Sequence, residues 1–114
     1  MSKSPLDYLR HILDECDYVV SVITEDTVED DLLDNETLKR AVVRSLEIIG
    51  EATKKIPADF KSKWPEIPWK NMAGMRDKLI HDYMGVNYSI VLDVVKNTIP
   101  VLKEQIEEII REEE

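Results

Sequence analysis

An all-α bundle of four main helices is the fold class this 114-residue sequence predicts, and three observations carry it. Apolar residues recur at spacings of three and four along three separate stretches, which is the period of a buried helix face. No stretch shows the every-second-residue alternation of a half-buried strand. Glycine is scarce, 3 in the whole chain, too few for the many tight turns of an all-β sandwich. The length fits one domain, residues 1–114, with no internal repeat and no linker that would divide it.

Each element has its own signal. Ser4-Pro5-Leu6-Asp7 reads as a helix start: a Ser cap, Pro at the first helical position and an acid in the first turn. Leu6, Leu9, Leu13, Cys16, Val20 and Ile23 then form the first stripe. The acidic stretch TEDTVEDDLLDN, residues 24–35, reads as a linker or fraying end carrying solvated charge, without the glycine and ligand spacing of a calcium loop. Asp34 or Asn35 caps a second helix with stripe Leu38, Val42, Ser45, Ile49, Ala52 and Ile56. Gly50 interrupts it at a cost of about 1 kcal/mol relative to Ala, either for a close helix–helix approach or by chance.

Pro57 ends that helix. Residues 57–68, PADFKSKWPEIP, read as a short irregular connection with at most one helical turn, held down by burial of Phe60 and Trp64. Pro68 starts a third helix that runs to about Met84, with Gly85 as its C-terminal cap. After Asn87 a long final helix carries Val91, Val95, Ile99, Leu102, Ile106 and Ile109 on one side. Pro100 lies inside that pattern and should bend the helix or mark a local break. The closing Glu112-Glu113-Glu114 run sits at the wrong end for the helix dipole and is expected to fray.

Composition narrows the function classes. The chain is 43% hydrophobic and 34% charged, which excludes collagen-like and low-complexity chains. Apolar runs stop at two or three residues, so a membrane span is not expected, and the N-terminus lacks the apolar segment of an export signal. The single Cys16 cannot form an internal disulfide, which suits a reducing cytoplasm, and its place in the first stripe makes it a small core residue. His11 and His81 stand on different helices with no Cys/His cluster, so no zinc site is expected, and no glycine-rich phosphate loop occurs. His11, off the apolar stripe, reads as a half-exposed structural histidine.

The net charge of −9 argues against a polyanionic partner until its distribution is read. Residues 1–38 hold two basic and eleven acidic side chains, residues 82–114 hold three and eight, but residues 39–81 hold ten and five. The middle of the chain therefore either presents a local positive field or carries ordinary solvated helix faces. Lys54 and Lys55 read as solvated surface.

One constellation suits chemistry. Gly74-Met75-Arg76-Asp77-Lys78-Leu79-Ile80-His81-Asp82-Tyr83 packs Arg, His and Tyr into eight residues. In RNA cleavage the 2′-hydroxyl must lose a proton and the 5′-oxygen must gain one, and histidine serves either step near neutral pH. A guanidinium stabilises the charge that develops on the phosphoryl oxygens, so no metal and no cofactor are required. On an ideal helix Arg76 and His81 lie roughly 140° apart, since five residues turn about 100° each. They converge only if the Arg reaches round, the helix distorts, or two-fold related helices share a cleft. The alternative is structural: an Arg paired with Asp77 or Asp82, and a His packed at a helix surface.

At these residues the sequence resembles the HepT-like group of HEPN-domain proteins. The resemblance covers nearly the whole chain, through Tyr8-Leu9-Arg10-His11-Ile12-Leu13, Arg44-Ser45-Leu46-Glu47-Ile48-Ile49-Gly50-Glu51-Ala52, Pro65-Glu66-Ile67-Pro68-Trp69 and Gly74-Met75-Arg76 with Leu79-Ile80-His81-Asp82-Tyr83. The family signature, Arg, four residues, His, one residue, Tyr, is matched in full by Arg76, His81 and Tyr83. The resemblance implies a HEPN-type up-and-down bundle, a two-fold homodimer with a composite cleft, and a metal-independent ribonuclease toxin cutting transfer or messenger RNA. It further implies an MntA-like nucleotidyltransferase partner that neutralises the toxin by AMPylation, a modification that maps to Tyr83. Carried over, Arg76 stabilises the phosphate and His81 is the acid or base. Asp77 stands where related sequences often have Asn, and Lys78 offsets its charge. Arg44 is a candidate RNA or partner contact. The other reading in this family is a non-catalytic module that binds and assists a nucleotidyltransferase.

Overall fold

The computed structural model describes residues 4–75, 77 and 86–114. Its regular elements are α1 (Pro5–Val22), α2 (Glu29–Asp34), α3 (Glu36–Lys55), α4 (Ala58–Lys63), α5 (Trp69–Ala73), α6 (Tyr88–Asp93), a π-helical turn (Val94–Thr98) and α7 (Ile99–Glu113). The long helix α1 occupies the centre, packed along α3 on one side and α7 on the other, while α5 lies against α3. The all-α expectation holds.

The start of α1 is fixed by a reciprocal cap. Ser4 Oγ accepts the Asp7 N–H at 3.3 Å and the Asp7 carboxylate accepts the Ser4 N–H at 3.1 Å, with Pro5 at the first position. Leu9, Cys16 and Ile23 are buried as the stripe predicts, but Leu13 and Val20 are only half-buried, while Ile12 and Val19 are fully buried. Two neighbours cover α1, so its buried arc is wider than one row and is centred a residue away from the expected line.

The acidic stretch is not a linker throughout. Residues 29–34 form α2, and Leu32 within it is fully buried where α2 packs on α3 and α6. Val28 has no side-chain oxygen for capping, so Asp31 reaches back and accepts the Val28 N–H at 2.8 Å. Three acids in the first turn favour the positive end of the short helix. Asn35 rather than Asp34 caps α3, its Oδ1 accepting the Leu38 N–H at 3.0 Å. Along α3 the expected stripe is buried from Val42 to Ile56, with Leu38 at its edge. Leu46 and Thr53 add a second fully buried row, in which the Thr53 hydroxyl donates to the Ile49 carbonyl at 2.7 Å. Gly50 is buried in that row's surroundings.

The 57–68 connection contains more helix than one turn: α4 spans six residues and buries Phe60. Its aromatic anchor is Trp69. The indole Nε1–H of Trp69 donates to the Trp64 carbonyl at 2.9 Å and to the Lys61 carbonyl at 3.2 Å, tying the end of α4 to the first residue of α5. After Pro68, α5 begins as expected, but the helix is interrupted at Gly74 (φ −86°, ψ 2°), whose N–H donates to the Lys70 carbonyl at 3.0 Å. The chain is helical again at Met75 and Asp77. Glycine's poor helix propensity makes this the weakest position of the segment. The expected helix end at Met84 and cap at Gly85 lie outside the described residues.

All six residues of the final stripe, Val91, Val95, Ile99, Leu102, Ile106 and Ile109, are buried. Asn87 Oδ1 caps α6 by accepting the Ile90 N–H at 3.2 Å. The break expected at Pro100 is a π-helical turn just ahead of it, in which the Ile99 N–H donates to the Val94 carbonyl. Proline has no N–H to give and its ring crowds the carbonyl four residues back, so the α pattern cannot run through unchanged. The C-terminal acids do not fray. Helix α7 continues to Glu113, and Arg10 of α1 holds Glu114 at 2.6 Å while Lys63 lies 3.9 Å from Glu113. These cations add to Arg111, the one basic residue in the helix's own last turn, against the acids gathered there.

The indole clamp has a measurable consequence. In Trp69→Phe both carbonyls keep a backbone donor, Trp64 N–H for Lys61 and Ile67 N–H for Trp64, so neither is orphaned and the loss is that of the indole bonds and part of the buried ring. The variant should be less stable by about 1–2 kcal/mol in urea unfolding, with an unchanged slope.

Candidate active site

The candidate site begins where α5 ends. Arg76, Lys78, His81 and Tyr83 lie outside the described residues, whereas Asp77 and Arg44 are described. The approach to Arg76 is well defined. Trp69 sets the first residue of α5, Met72 is fully buried, Gly74 makes the turn, and Met75 is again buried. Asp77 is exposed and makes no ion pair among the described residues, so its negative charge is offered to solvent.

Arg44 stands on the exposed side of α3. Its guanidinium lies 3.5 Å from the Glu51 carboxylate and 3.9 Å from that of Glu47. Pairs this exposed contribute at most about 1 kcal/mol and leave the group free to exchange partners. The positive excess of the middle segment is thinner in space than in sequence. Lys39 and Arg40 both engage Glu36, at 2.9 and 2.7 Å, and hydrogen bonds from these two cations hold the Glu36 carboxyl below its usual range. Lys54, Lys55, Lys61 and Lys70 carry no ion pair among the described residues, and of these Lys54, Lys55 and Lys70 are exposed.

A cleft of about 380 Å³ adjoins the turn at Gly74, lined by Pro68, Lys70, Asn71, Met72, Gly74, Met75, Val94 and Thr98. One wall is thus α5 and its continuation, the other the π-helical turn. Sequence reasoning did not find this cleft. Pro100 was the available signal, because it displaces the backbone register one turn earlier, at Val94–Thr98.

Two other titratable candidates resolve as expected or nearly so. Cys16 is fully buried, and burial, reinforced by the neighbouring Asp17 and Glu15 charges, pushes its thiol up to about 12. A thiol held so far from ionisation is no nucleophile. His11 is exposed on α1. Among the described residues no group of three or more His, Cys, Asp and Glu side chains is placed to share a metal ion, and no helix is long and apolar enough to cross a membrane.

The architecture is an all-helical bundle, consistent with the HEPN type, and the signature segment follows α5 in the chain. Residues 12–109 match the family model described as Ribonuclease HepT-like, and the chain belongs to this HepT-like family. It is 49% identical over 111 residues to a protein of Caldanaerobacter subterraneus subsp. tengcongensis named "Putative RNase", covering 97% of this chain and 98% of that one. It is 48% identical over 109 residues to a protein of Thermococcus cleftensis named "Probable ribonuclease HepT", covering 96% and 98%. It is also 46% identical over 106 residues to a "Putative RNase" of Methanocaldococcus jannaschii, covering 93% and 84%. No solved structure matches the chain.

The buried thiol gives a simple check. At pH 8 Cys16 should resist an aromatic disulfide reagent in the folded protein and react fully once guanidinium unfolds it, because an unburied thiol titrates near 8.5. Rapid labelling of the native protein would contradict the burial.

Proposed function

We propose that this protein is an endoribonuclease, the toxin of a toxin–antitoxin pair, acting in the cytoplasm without a metal through Arg76 and His81. The observation that carries the reading is the intact Arg-x4-His-x-Tyr signature, Arg76, His81 and Tyr83, inside a family match that spans residues 12–109. The names of relatives 46–49% identical along almost their whole length support the ribonuclease class.

The chemistry balances with RNA alone. The ribose 2′-oxygen forms a bond to phosphorus while the bond from phosphorus to the 5′-oxygen breaks. The 2′-hydroxyl proton leaves to a base, the 5′-oxygen gains one from an acid, and the products are a cyclic phosphate and a 5′-hydroxyl. His81 serves one of these proton transfers, and a second His81 across a two-fold axis could serve the other. Arg76 binds the phosphoryl oxygens and stabilises the charge they gain in the transition state. DNA lacks the nucleophile and is inert. Lys78 offsets the charge of Asp77, and Arg44 is a secondary RNA or partner contact.

Regulation follows from the same charges. When an MntA-like nucleotidyltransferase transfers AMP from ATP, the Tyr83 oxygen bonds to the α-phosphorus, loses its proton and displaces pyrophosphate, and the adduct adds a phosphodiester charge and bulk two residues from His81. It repels RNA phosphate and obstructs the groove.

The test is cleavage of total RNA in EDTA by protein whose intact mass shows no adduct. Wild type should cut, while Arg76→Ala and His81→Ala should each lose at least a hundredfold in rate with unchanged melting. Tyr83→Phe should cut and escape neutralisation by the partner nucleotidyltransferase and ATP. No cleavage of transfer or messenger RNA by the folded, unmodified protein would instead favour the non-catalytic module that assists a nucleotidyltransferase.

A further inference from the structure

We infer that the cleft between α5 and the π-helical turn is a subsite for one unpaired base of the RNA, an inference that rests on the ribonuclease reading and extends it to how the substrate is held. Its floor is apolar: Met75 and Val94 each keep a little accessible surface there, backed by the fully buried Met72. Its rim is polar: Lys70 and Asn71 are exposed and Thr98 is half-buried. A nucleobase has the same division, an apolar face and a hydrogen-bonding edge. Methionine side chains pack against such a face and adapt to either ring size. The Asn71 carboxamide presents a donor and an acceptor together, the pattern that reads a base edge, and the Thr98 hydroxyl can do either. Lys70 carries no ion pair among the described residues, so its ammonium remains available for a phosphate.

Size and position point the same way. About 380 Å³ is enough for a single nucleobase. Recognition of RNA sequence generally works on unstacked, single-stranded bases lodged in such pockets. Met75, part of the floor, is covalently joined to Arg76, so a base in the cleft sits one residue along the chain from the phosphate-binding arginine.

Binding to His81→Ala, which holds RNA without consuming it, tests the subsite apart from catalysis. Backbone and side-chain amide spectra would be recorded with single-stranded RNA tetranucleotides and, separately, with the four 5′-mononucleotides. Tetranucleotides should shift the Asn71 carboxamide and the Thr98 amide, and adding Asn71→Ala, an exposed position that should not disturb folding, should weaken binding about tenfold. Tetranucleotide binding that leaves both signals in place and is unchanged by Asn71→Ala would overturn the subsite. Shifts with mononucleotides alone would also overturn it, making the cleft a free-nucleotide site. On the wild-type background, Asn71→Ala should alter which positions of an RNA are cut. Cleavage with an unaltered pattern would remove the subsite and leave the ribonuclease reading intact. Tetranucleotide shifts at Asn71 in a protein that never cleaves would do the reverse.

Discussion

One indole N–H fixes where the third helix starts. Trp69 donates to the carbonyls of Lys61 and Trp64, the last turn of α4 and the residue after it, while its ring fills the space beneath. The segment it closes holds three prolines, none of which can donate a backbone hydrogen bond, and its helical ladder is confined to α4, leaving turns from Trp64 to Pro68. A buried tryptophan with two carbonyl partners ties that remainder down. Because α5 is only five residues long, its direction cannot come from its own hydrogen bonds and must come from this clamp and from packing on α3. Everything that follows α5 in the chain, the signature segment included, takes its starting point from that clamp.

The second constraint comes from the opposite wall. Pro100 withdraws one N–H from the final helix, and the helix answers with a π-helical turn rather than with an end. Both flanking segments keep their buried rows, Val91 before the turn and Ile99, Leu102, Ile106 and Ile109 after it. A turn with an extra residue resets the phase between them, so the two rows still face one core. The same turn brings Val94 to the floor and Thr98 to the rim of the cleft beside Gly74. A proline that looks like a defect in the helix pattern is thus compatible with a continuous core and shapes a concavity next to the signature.

What the sequence made legible was whatever had enough repeats to average over. The final helix was read correctly because six apolar residues kept one phase for eighteen positions and Asn87 offered a plain cap. The first helix carries two overlapping apolar patterns one residue out of phase. Leu9, Cys16 and Ile23 can be joined through Leu13 and Val20 or through Ile12 and Val19, both at spacings of three and four, and only the two-sided packing of α1 chooses the latter. Helix α2 was invisible since a single inward residue, Leu32, anchors it among acids, and one residue defines no period. The fraying expected of Glu112–Glu114 was answered by Arg10, a hundred residues away in sequence. In the site the pattern reverses: Arg76, His81 and Tyr83 stand out in the sequence as a constellation that the family resemblance points to, while the cleft is made by two separate segments, Pro68–Met75 and Val94–Thr98, and has no local signature.

Charge closes the argument. A chain of net charge −9 should repel RNA, yet at physiological salt exposed charges more than about 8 Å apart are largely screened, so local arrangement matters more than the total. Several acids of the two ends are occupied with cations: Asp17 with Lys103 at 3.2 Å, Glu114 with Arg10, Glu113 with Lys63. The basic residues left without a carboxylate among the described residues include Lys54 and Lys55 at the end of α3, Lys61 in α4 and Lys70 in α5. They belong to the elements that lead into the signature segment, whereas the acids of α2 lie on a different helix packed on α3 and α6. The stretch from α4 to α5 carries Lys61, Lys63 and Lys70 against Asp59 and Glu66, so a polyanion there meets a balance near neutral rather than the net charge of the whole chain.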